Sequence, residues 1–253
     1  MVGVIHFVGA GPGAADLLTV RATRLLAAAD VVVYPGTYLD PEVLTHCSPE
    51  ARLVDSQALD LDRITAVLVE AAAEGLAVVR LTSGDPSVYS ALAEQTRRLA
   101  AAGVAWDVTP GVPSYAAATA LVGAELTVPL LAQSVVLTRA QARSTPMPDG
   151  ESLEAFAATG ATLVLHLAVT RTTELAERLA PYYGADCPAV VVFRASQPGE
   201  LVLRGTLADI GAQVEDAGLR QAAVIIVGRV LGTTGGGESH LYDAARPRPT
   251  TGA

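Results

Sequence analysis

The chain has 253 residues, about half of them hydrophobic, and a formal net charge of -9 at pH 7. Because nucleic-acid binding requires a basic surface that neutralises phosphates, this charge argues against a nucleic-acid-binding protein. No apolar stretch reaches the roughly 18 residues of a membrane span, and the N-terminus lacks the basic flank of a signal peptide. We therefore expect a soluble, cytoplasmic protein without membrane contact.

The positive charges are all of one kind, since the 17 cationic residues are arginine and lysine is absent. Schiff-base and general-base chemistry by lysine are therefore excluded. The planar guanidinium group is suited to bidentate contact with carboxylates or phosphates. The two cysteines, Cys47 and Cys187, lie far apart and away from any histidine at ligand spacing. They predict buried thiols, with no disulfide and no metal site.

The first half of the chain alternates between predicted strands and helices. Apolar runs predict strands at 4–8, 31–34, 77–82 and 104–108. Helical spacing of apolar residues predicts helices at 16–28, 42–46, 61–73, 88–99 and 116–121. Such alternation is typical of an α/β domain with a mainly parallel sheet.

The second half predicts another α/β domain. Strands are predicted at 134–138, 161–167, 188–193, 200–204 and 222–227, and helices at 153–158, 170–180 and 207–217. A turn at 195–199 joins two of these strands directly, so we expect an antiparallel pair within a mixed sheet. The regular alternation lapses around 127–131, which places the two domains at 1–128 and 132–232. Residues 233–253 are rich in Gly, Thr, Arg and Pro and predict a disordered tail.

A glycine-rich loop follows the first strand. Gly9, Gly11 and Ala14 have the spacing of a dinucleotide-binding fingerprint. Pro12, however, removes one of the amides that would bind a pyrophosphate. Asp30 precedes the second predicted strand, whereas a ribose-binding acid should follow it. A nicotinamide-dependent oxidoreductase is therefore an alternative that the surrounding residues argue against.

A second loop, Ser83-Gly84-Asp85-Pro86, joins the strand at 77–82 to a predicted helix. Gly84 suits a sharp turn or a close approach to a ligand, Asp85 is a good N-cap, and Pro86 favours the first helical position. Helix capping alone explains these residues, and a ligand site is the alternative. The loop at 109–115 also joins a strand to a helix, with Ser114 as the predicted N-cap. The carboxyl ends of parallel strands share one edge, where ligands bind.

Five separated segments together resemble the tetrapyrrole methyltransferases, the S-adenosylmethionine-dependent enzymes of corrin and sirohaem synthesis. They are VGAGPG at 8–13, ADVVVY at 29–34, SGDP at 83–86, PGV at 110–112 and VGRV at 227–230. Within that family, three further segments resemble the members that methylate ring carbon 11 of precorrin-4. These are YPGT at 34–37, QSVVLTR at 133–139 and RSTPMP at 143–148. The resemblance covers about residues 1–232.

The resemblance implies two tandem α/β domains, with the cofactor in a cleft between them, and a homodimer. It implies that S-adenosylmethionine donates the methyl group to a tetrapyrrole polycarboxylate and leaves as S-adenosylhomocysteine. Carried over by position, the residues that line the cofactor site are Pro12, Ser83, Gly84, Asp85, Val88, Pro113, Ser114, Leu167 and Ala195. Uroporphyrinogen-type members carry an aspartate where this chain has Pro35, and a lysine that it lacks, which argues against the uroporphyrinogen reaction.

The substrate that the resemblance implies carries several carboxylates, whereas the chain is acidic, so positive charge must be local. We predict Arg139 and Arg143 as substrate-binding residues, because they flank a loop that would overhang the site. Further candidates are Arg80, Arg171 and Arg194.

Methyl transfer from a sulfonium depends on positioning, so we assign no catalytic residue. His6 and His166 lie near predicted strand ends and are interpreted as packed or solvated side chains. Three alternatives stay open: methylation at another corrin ring carbon, a non-catalytic tetrapyrrole-binding protein, and the oxidoreductase above. The sequence leaves open whether the substrate carries cobalt.

Overall fold

A computed structural model describes residues 3–36, 39–140, 145–232, 236–240 and 246. The strands within them are β1 Ile5–Gly9, β2 Val31–Tyr34, β3 Arg52–Asp55, β4 Val78–Thr82, β5 Trp106–Thr109, β6 Val135–Arg139, β7 Thr162–His166, β8 Pro188–Phe193, β9 Leu201–Thr206 and β10 Ala223–Val227. The α-helices are α1 Val20–Ala28, α2 Leu61–Ala73, α3 Leu92–Ala101, α4 Ser114–Val122, α5 Leu153–Ala157, α6 Thr172–Tyr183 and α7 Ile210–Asp216. Among these described residues, no helix combines the length and apolarity that a membrane crossing requires.

The chain folds into two compact units. The first unit comprises Met1–Ala118 together with Arg194–Glu200, and the second comprises Thr119–Phe193 and Leu201–Ala253. Arg194–Glu200 is the connection between β8 and β9. The first unit therefore includes a short segment that lies far along the chain from the rest of it.

The first unit contains a five-stranded sheet in the order β3-β2-β4-β1-β5, and all its neighbouring strands are parallel. The predicted parallel sheet is thereby confirmed. β3, Arg52–Asp55, has no counterpart among the predicted strands. It lies at the edge of the sheet and is largely exposed, so it lacks the apolar run that identifies a buried strand.

Side chains alternate between the two faces of this sheet and meet helices on both. Ile5 and Phe7 of β1 pack with α2 and α3, whereas Val8 packs on the opposite face with α1. Helix α2 buries Ile64, Leu68, Ala71 and Ala72, the spacing of a single apolar face. The result is a three-layer α/β unit in which the carboxyl ends of the strands share one edge.

Three predicted helices of the first unit begin later than expected or are 3-10 helices. The segment at 16–28 is a 3-10 turn followed by α1, which begins only at Val20, where the Thr19 hydroxyl accepts a hydrogen bond from the amide of Ala22. The segment at 42–46 is a 3-10 helix. Helix α3 begins at Leu92 rather than at residue 88, because Tyr89 and Ala91 adopt left-handed backbone conformations that no α-helix accommodates.

The second unit contains a mixed sheet in the order β6-β7-β10-β8-β9. Strands β6 and β7 are parallel, and the other neighbours are antiparallel. The predicted antiparallel pair of β8 and β9 and the predicted mixed sheet are both confirmed. One face of the sheet packs with α6 and α7 around Leu163, Leu165, Leu179 and Ile210, which are fully or almost fully buried.

Tyr183 closes one side of this core, at the end of α6. Its hydroxyl donates to the carbonyl of Ala161 at 2.5 Å, and the side chain is buried. Burial raises the pKa of Tyr183 to about 12. A buried phenolate would lose its solvation, so the folded state favours the neutral phenol.

We expect Tyr183→Phe to remove a pH-dependent part of the folding stability. In the unfolded chain a tyrosine has a pKa near 10, so the stabilisation of the neutral phenol is complete below about pH 10. It is lost as the pH rises towards 12, by about 2–3 kcal/mol. Denaturant unfolding at about pH 9 and about pH 11.5 should therefore show a larger loss for the wild type than for Tyr183→Phe. Tyr182→Phe, at a neighbouring side chain that is 48% exposed, should behave as the wild type. Equal losses in all three proteins would contradict the prediction.

Candidate functional site

Three glycines meet at the carboxyl edge of the first sheet. Gly9 is the last residue of β1, Gly84 follows β4 and Gly111 follows β5. A Cβ atom on Gly9 would lie 2.5 Å from the amide nitrogen of Gly111 and 2.7 Å from the carbonyl oxygen of Gly84. No side chain fits at such distances, so glycine is required for the three loops to approach one another.

Asp85 fixes two of these loops through its carboxylate. Oδ2 accepts a hydrogen bond from the amide of Gly111 at 2.8 Å, and Oδ1 accepts one from the amide of Ser87 at 2.8 Å and another from the Ser87 hydroxyl. Burial alone would raise the pKa of Asp85, but these hydrogen bonds outweigh it and hold the pKa below its usual value. Asp85 is therefore ionised at neutral pH.

The predicted capping roles of Asp85 and Pro86 are wrong. Helix α3 begins at Leu92, several residues beyond both, and its N-cap is Ala91 in a left-handed conformation. Asp85 instead forms a local turn with Ser87 and a contact with the next loop, as described above. Ser114, the other predicted N-cap, is the first residue of α4 itself. Capping, the alternative to a ligand role at Asp85, is thereby removed.

The first glycine loop is joined to the Gly84 loop by backbone pairing. Gly11 and Gly84 exchange two hydrogen bonds, of 3.1 and 2.7 Å. The amide of Ala10 donates to the carbonyl of Thr82, and the amide of Ala14 donates to the hydroxyl of Ser196. These amides are therefore engaged within the protein, and α1 begins only at Val20. A phosphate would find neither free amides at 10, 11 and 14 nor a helix N-terminus at this loop, which argues against a dinucleotide site.

Arg80, in β4, is a buried cation beneath these loops. Its Nε donates to Gln95 Oε1 at 3.1 Å, and its Nη1 donates to Ser56 Oγ at 3.1 Å and to two backbone carbonyls, all of them uncharged acceptors. Burial lowers its pKa to about 10, so the guanidinium stays charged at neutral pH. Gln95 in turn donates to the carbonyls of Ser90 and Ala91. Arg80 thereby connects the residues that follow β3 with the left-handed segment ahead of α3.

The β8–β9 connection contributes a further part of this site. Ser196 accepts a hydrogen bond from the amide of Ala14, and Gln197 Nε2 donates to the carbonyl of Pro12 at 2.7 Å. Ala195, beside them, is 7% exposed. The first glycine loop is therefore held by residues that follow it by more than 180 positions.

Eight of the nine predicted cofactor residues belong to the first unit, and the structure gathers them on these loops. They are Pro12, Ser83, Gly84, Asp85, Val88, Pro113, Ser114 and Ala195. The space beside Gly84 is open enough for a Cβ atom, whose nearest neighbours would be the Ser114 amide nitrogen at 3.7 Å and the Pro113 Cα at 3.8 Å. The ninth residue, Leu167, belongs to the second unit, where it follows β7 with a φ of 53° and 69% exposure.

The predicted substrate residue Arg139 ends β6, beside His166 of β7 in the parallel register. Its Nη2 donates to the carbonyl of Thr145 at 2.6 Å. It also lines a cavity of about 370 Å³ in the second unit, as do Arg171 and Arg178. Arg143, the other predicted substrate residue, lies outside the described residues.

The remaining predicted histidines and arginines have contacts of their own. His6 Nδ1 lies 2.8 Å from Asp107 Oδ1. Burial lowers the pKa of His166, so its imidazole is neutral at pH 7. Arg171 donates from Nε to Glu174 Oε2 at 2.8 Å, and Arg194 donates from Nε to Gln197 Oε1 at 3.3 Å.

Comparison with known proteins identifies the family to which this sequence and these loops belong. The family model for Tetrapyrrole (Corrin/Porphyrin) Methylases matches residues 4–211. The chain belongs to the tetrapyrrole methylase family. This finding confirms the family that the separated sequence motifs indicate.

Individual members of the family match nearly the whole chain. A curated protein from Rhodococcus erythropolis, named precorrin-4 C(11)-methyltransferase, is 54% identical over 246 residues, which cover 97% of this chain and 99% of that protein. The X-ray structure of a cobalt precorrin-4 methyltransferase of cobalamin biosynthesis matches with a TM-score of 0.87 and 36% identity, over 90% of this chain and 95% of that one. A Thermus thermophilus uroporphyrin-III C-methyltransferase complexed with S-adenosylhomocysteine matches with a TM-score of 0.76 and 32% identity, over 90% and 93%.

The sequence gives no indication of several residues that contact these loops of the methylase. Ser196 and Gln197 stand in a segment whose pattern predicts only a hairpin turn, and no local signal relates them to residues 12–14. Gln95 has the appearance of an exposed helical residue but is 1% exposed. Gly111 carried a usable signal, because it follows a strand in the same way as Gly84.

We expect Asp85→Asn to destabilise the first unit and to loosen the loop after β5. Asparagine has one acceptor oxygen, so either the Gly111 or the Ser87 amide would face a donor, at a cost of about 1–3 kcal/mol in unfolding free energy. Because the pKa of Asp85 is lowered in the folded state, its ionised form stabilises the fold above about pH 4, and this part is lost as the pH falls further.

Denaturant unfolding and amide hydrogen exchange at Gly111 and Ser87 measure both effects. Asp216→Asn, at an exposed position at the end of α7, makes the same change of charge and should leave the stability and both exchange rates unchanged. Wild-type exchange at both amides in Asp85→Asn would show that the carboxylate does not hold the loops.

Proposed function

We infer that this chain is an S-adenosylmethionine-dependent methyltransferase of corrin synthesis that methylates ring carbon 11 of precorrin-4 to give precorrin-5. The observation that carries this conclusion is the 54% identity to a precorrin-4 C(11)-methyltransferase over 97% of this chain and 99% of that protein. The X-ray structure of a cobalt precorrin-4 methyltransferase supports the same assignment, with a TM-score of 0.87.

The loops of the first unit fit S-adenosylmethionine. When bound, this group supplies a methyl that its sulfonium has already activated for transfer. The Gly84 loop offers backbone groups and open space beside the glycine, with Ser114 and Pro113 as its nearest neighbours. The charge of Asp85 is engaged by the amides of Gly111 and Ser87. The loop therefore presents mainly uncharged backbone, on which a ligand can be held by its shape and by hydrogen bonds.

The residues of this chain act by positioning. The nucleophile is a carbon of the substrate ring, which forms a bond to the methyl carbon while the electron pair of the broken bond stays on sulfur. No side-chain nucleophile is needed, and this agrees with a chain that has no lysine. Holding two reactants in line lowers the barrier by about 7–11 kcal/mol in favourable cases. A rigid set of loops provides that kind of assistance.

The function is tested by incubating the purified protein with precorrin-4 and S-adenosylmethionine that carries a ¹³C-labelled methyl. We expect one label per molecule, located on ring carbon 11 by NMR and mass spectrometry. Label on another ring carbon would keep the family and overturn the assignment to carbon 11. A parallel reaction with cobalt-precorrin-4 decides which form of the substrate is used. Absence of transfer to both would favour a tetrapyrrole-binding protein instead.

We further propose that Arg139 binds a carboxylate of the substrate. Arg139 is the last residue of β6, and it lines the cavity of about 370 Å³. Arg171 and Arg178, which pair with Glu174 and Glu154, line the same cavity, so its wall carries several guanidinium groups. Arg143 and the nine cofactor residues stay predictions, as do the homodimer and the cytoplasmic location.

We expect Arg139→Gln to raise the KM for precorrin-4 about ten-fold, because a hydrogen bond to a charged group contributes about 1.5–3 kcal/mol. The KM for S-adenosylmethionine should stay unchanged. Arg220→Gln, which removes the same charge at an exposed position before β10, should change neither value. Steady-state kinetics with each substrate varied in turn provide the measurement. An unchanged KM for precorrin-4 in Arg139→Gln would refute the role.

A further inference from the structure

The β8–β9 connection is joined to the first glycine loop by two hydrogen bonds across a long stretch of sequence. Gln197 Nε2 donates to the carbonyl of Pro12 at 2.7 Å, a contact between residues 185 positions apart. The hydroxyl of Ser196 accepts from the amide of Ala14 at 3.2 Å. Both contacts lie within the first unit, to which Arg194–Glu200 belongs.

The glycine loop depends on these contacts for its conformation. Pro12 has no amide hydrogen, and Gly11 and Gly13 have φ values of 74° and 155°, so no regular structure extends through the loop. Gly11 is fixed by its pairing with Gly84, and the next backbone bond runs from the amide of Leu17 to the carbonyl of Ala14. Between these points, the side chains of Ser196 and Gln197 bind the backbone of residues 12–14.

The connection itself is held in one conformation. Arg194 and Ser196 have φ values of 48° and 64°, which cost energy for residues other than glycine. The amide of Ser196 donates to Glu200 Oε2 at 3.0 Å, and Arg194 Nε donates to Gln197 Oε1 at 3.3 Å. Gln197 is therefore anchored through its oxygen, which leaves its NH₂ group directed at the Pro12 carbonyl.

The packing between the two segments is close. A Cβ atom on Gly13 would lie 2.7 Å from both Cδ and Nε2 of Gln197, and the other close neighbour is Gln197 Cγ. All three atoms belong to one side chain. Gly13 is therefore required as much by Gln197 as by its own backbone.

We propose that Gln197 is a positioning residue of the cofactor site, which sets the conformation of the first glycine loop through its hydrogen bond to Pro12. This inference rests on the proposed function, because the ligand concerned is S-adenosylmethionine. Pro12 and Ala195, two predicted cofactor residues, are respectively the partner of Gln197 and the neighbour of Ser196. Gln197 thus affects cofactor affinity through the loop.

Gln197→Glu and Gln197→Met test the proposal with S-adenosylhomocysteine as the probe in calorimetric titration. Glutamate keeps the oxygen that accepts from Arg194 but has no donor for the Pro12 carbonyl, and methionine loses both contacts at similar volume. We expect each variant to bind the probe about two- to ten-fold more weakly, the loss that one hydrogen bond of ordinary strength produces. The KM for precorrin-4 should not change. General destabilisation of the protein would not weaken cofactor binding while leaving this KM unchanged.

Gln221→Glu is the matched control. It introduces the same charge at an exposed residue before β10 in the second unit, and it should bind the probe as the wild type does. Should Gln197→Glu fail to fold, Gln197→Met removes the same hydrogen bond to Pro12 without introducing a charge and provides the comparison by itself.

A double-mutant cycle with Gly13→Ala gives an independent test. The three atoms nearest to the new methyl group all belong to Gln197, and Gln197→Ala removes them. Gly13→Ala should therefore weaken probe binding more in the wild type than in Gln197→Ala. Additive effects of the two changes, or wild-type affinity in both Gln197→Glu and Gln197→Met, would overturn the proposal.

Hydrogen exchange separates this proposal from the proposed function. Peptides that cover residues 10–17 should exchange faster in Gln197→Glu and Gln197→Met than in the wild type, with no ligand present. If the wild type did not bind S-adenosylhomocysteine, the proposed function would fail, and unchanged exchange in the variants would still overturn the role of Gln197. If the wild type binds the probe, unchanged exchange and affinity overturn the role of Gln197 alone.

Discussion

The close approach of three backbone loops at the carboxyl edge of the first sheet is the constraint on which the site depends. Gly9 and Gly111 face each other so closely that a Cβ atom on Gly9 would lie 2.5 Å from the Gly111 amide nitrogen. No Cβ atom fits where Gly9 and Gly111 meet, so backbone groups and the small space beside Gly84 form much of the surface there. Such a surface is suited to a ligand recognised by shape.

The polar groups around these loops are directed towards the protein itself. Asp85 binds two amides, and Arg80 binds Gln95 and Ser56 from a buried position. Arg80 is buried, so breaking one of its contacts would leave a desolvated donor, whereas Asp85 is half-buried and acts through a charged group that binds both amides. The charges therefore serve to position the loops. This agrees with methyl transfer, in which the enzyme contributes geometry more than a reactive side chain.

How far the sequence could predict this protein depends on where each signal lies. Strands such as β1 and β4 were found because buried apolar runs are local, whereas β3 is exposed and gave no signal. The sequence predicted a turn with a cap or a ligand site at Gly84 and Asp85, but the prediction that Asp85 caps a helix was wrong. Whether a carboxylate caps its own helix or binds the next loop depends on where α3 begins. That is decided by the left-handed residues Tyr89 and Ala91.

By itself, the sequence determined the two α/β patterns, the parallel and mixed sheets, the family and the loops that form the site. Each of these follows from local periodicity or from motifs that survive as short runs of residues. Only the tertiary structure decided which distant residues bind one another around these loops: Gln197 with Pro12, and Gln95 with the buried Arg80. Their hydrogen bonds join segments far apart in the chain. A hydrogen bond between distant segments depends on how the strands and helices pack. The neighbouring residues in the sequence contain no local pattern that predicts it.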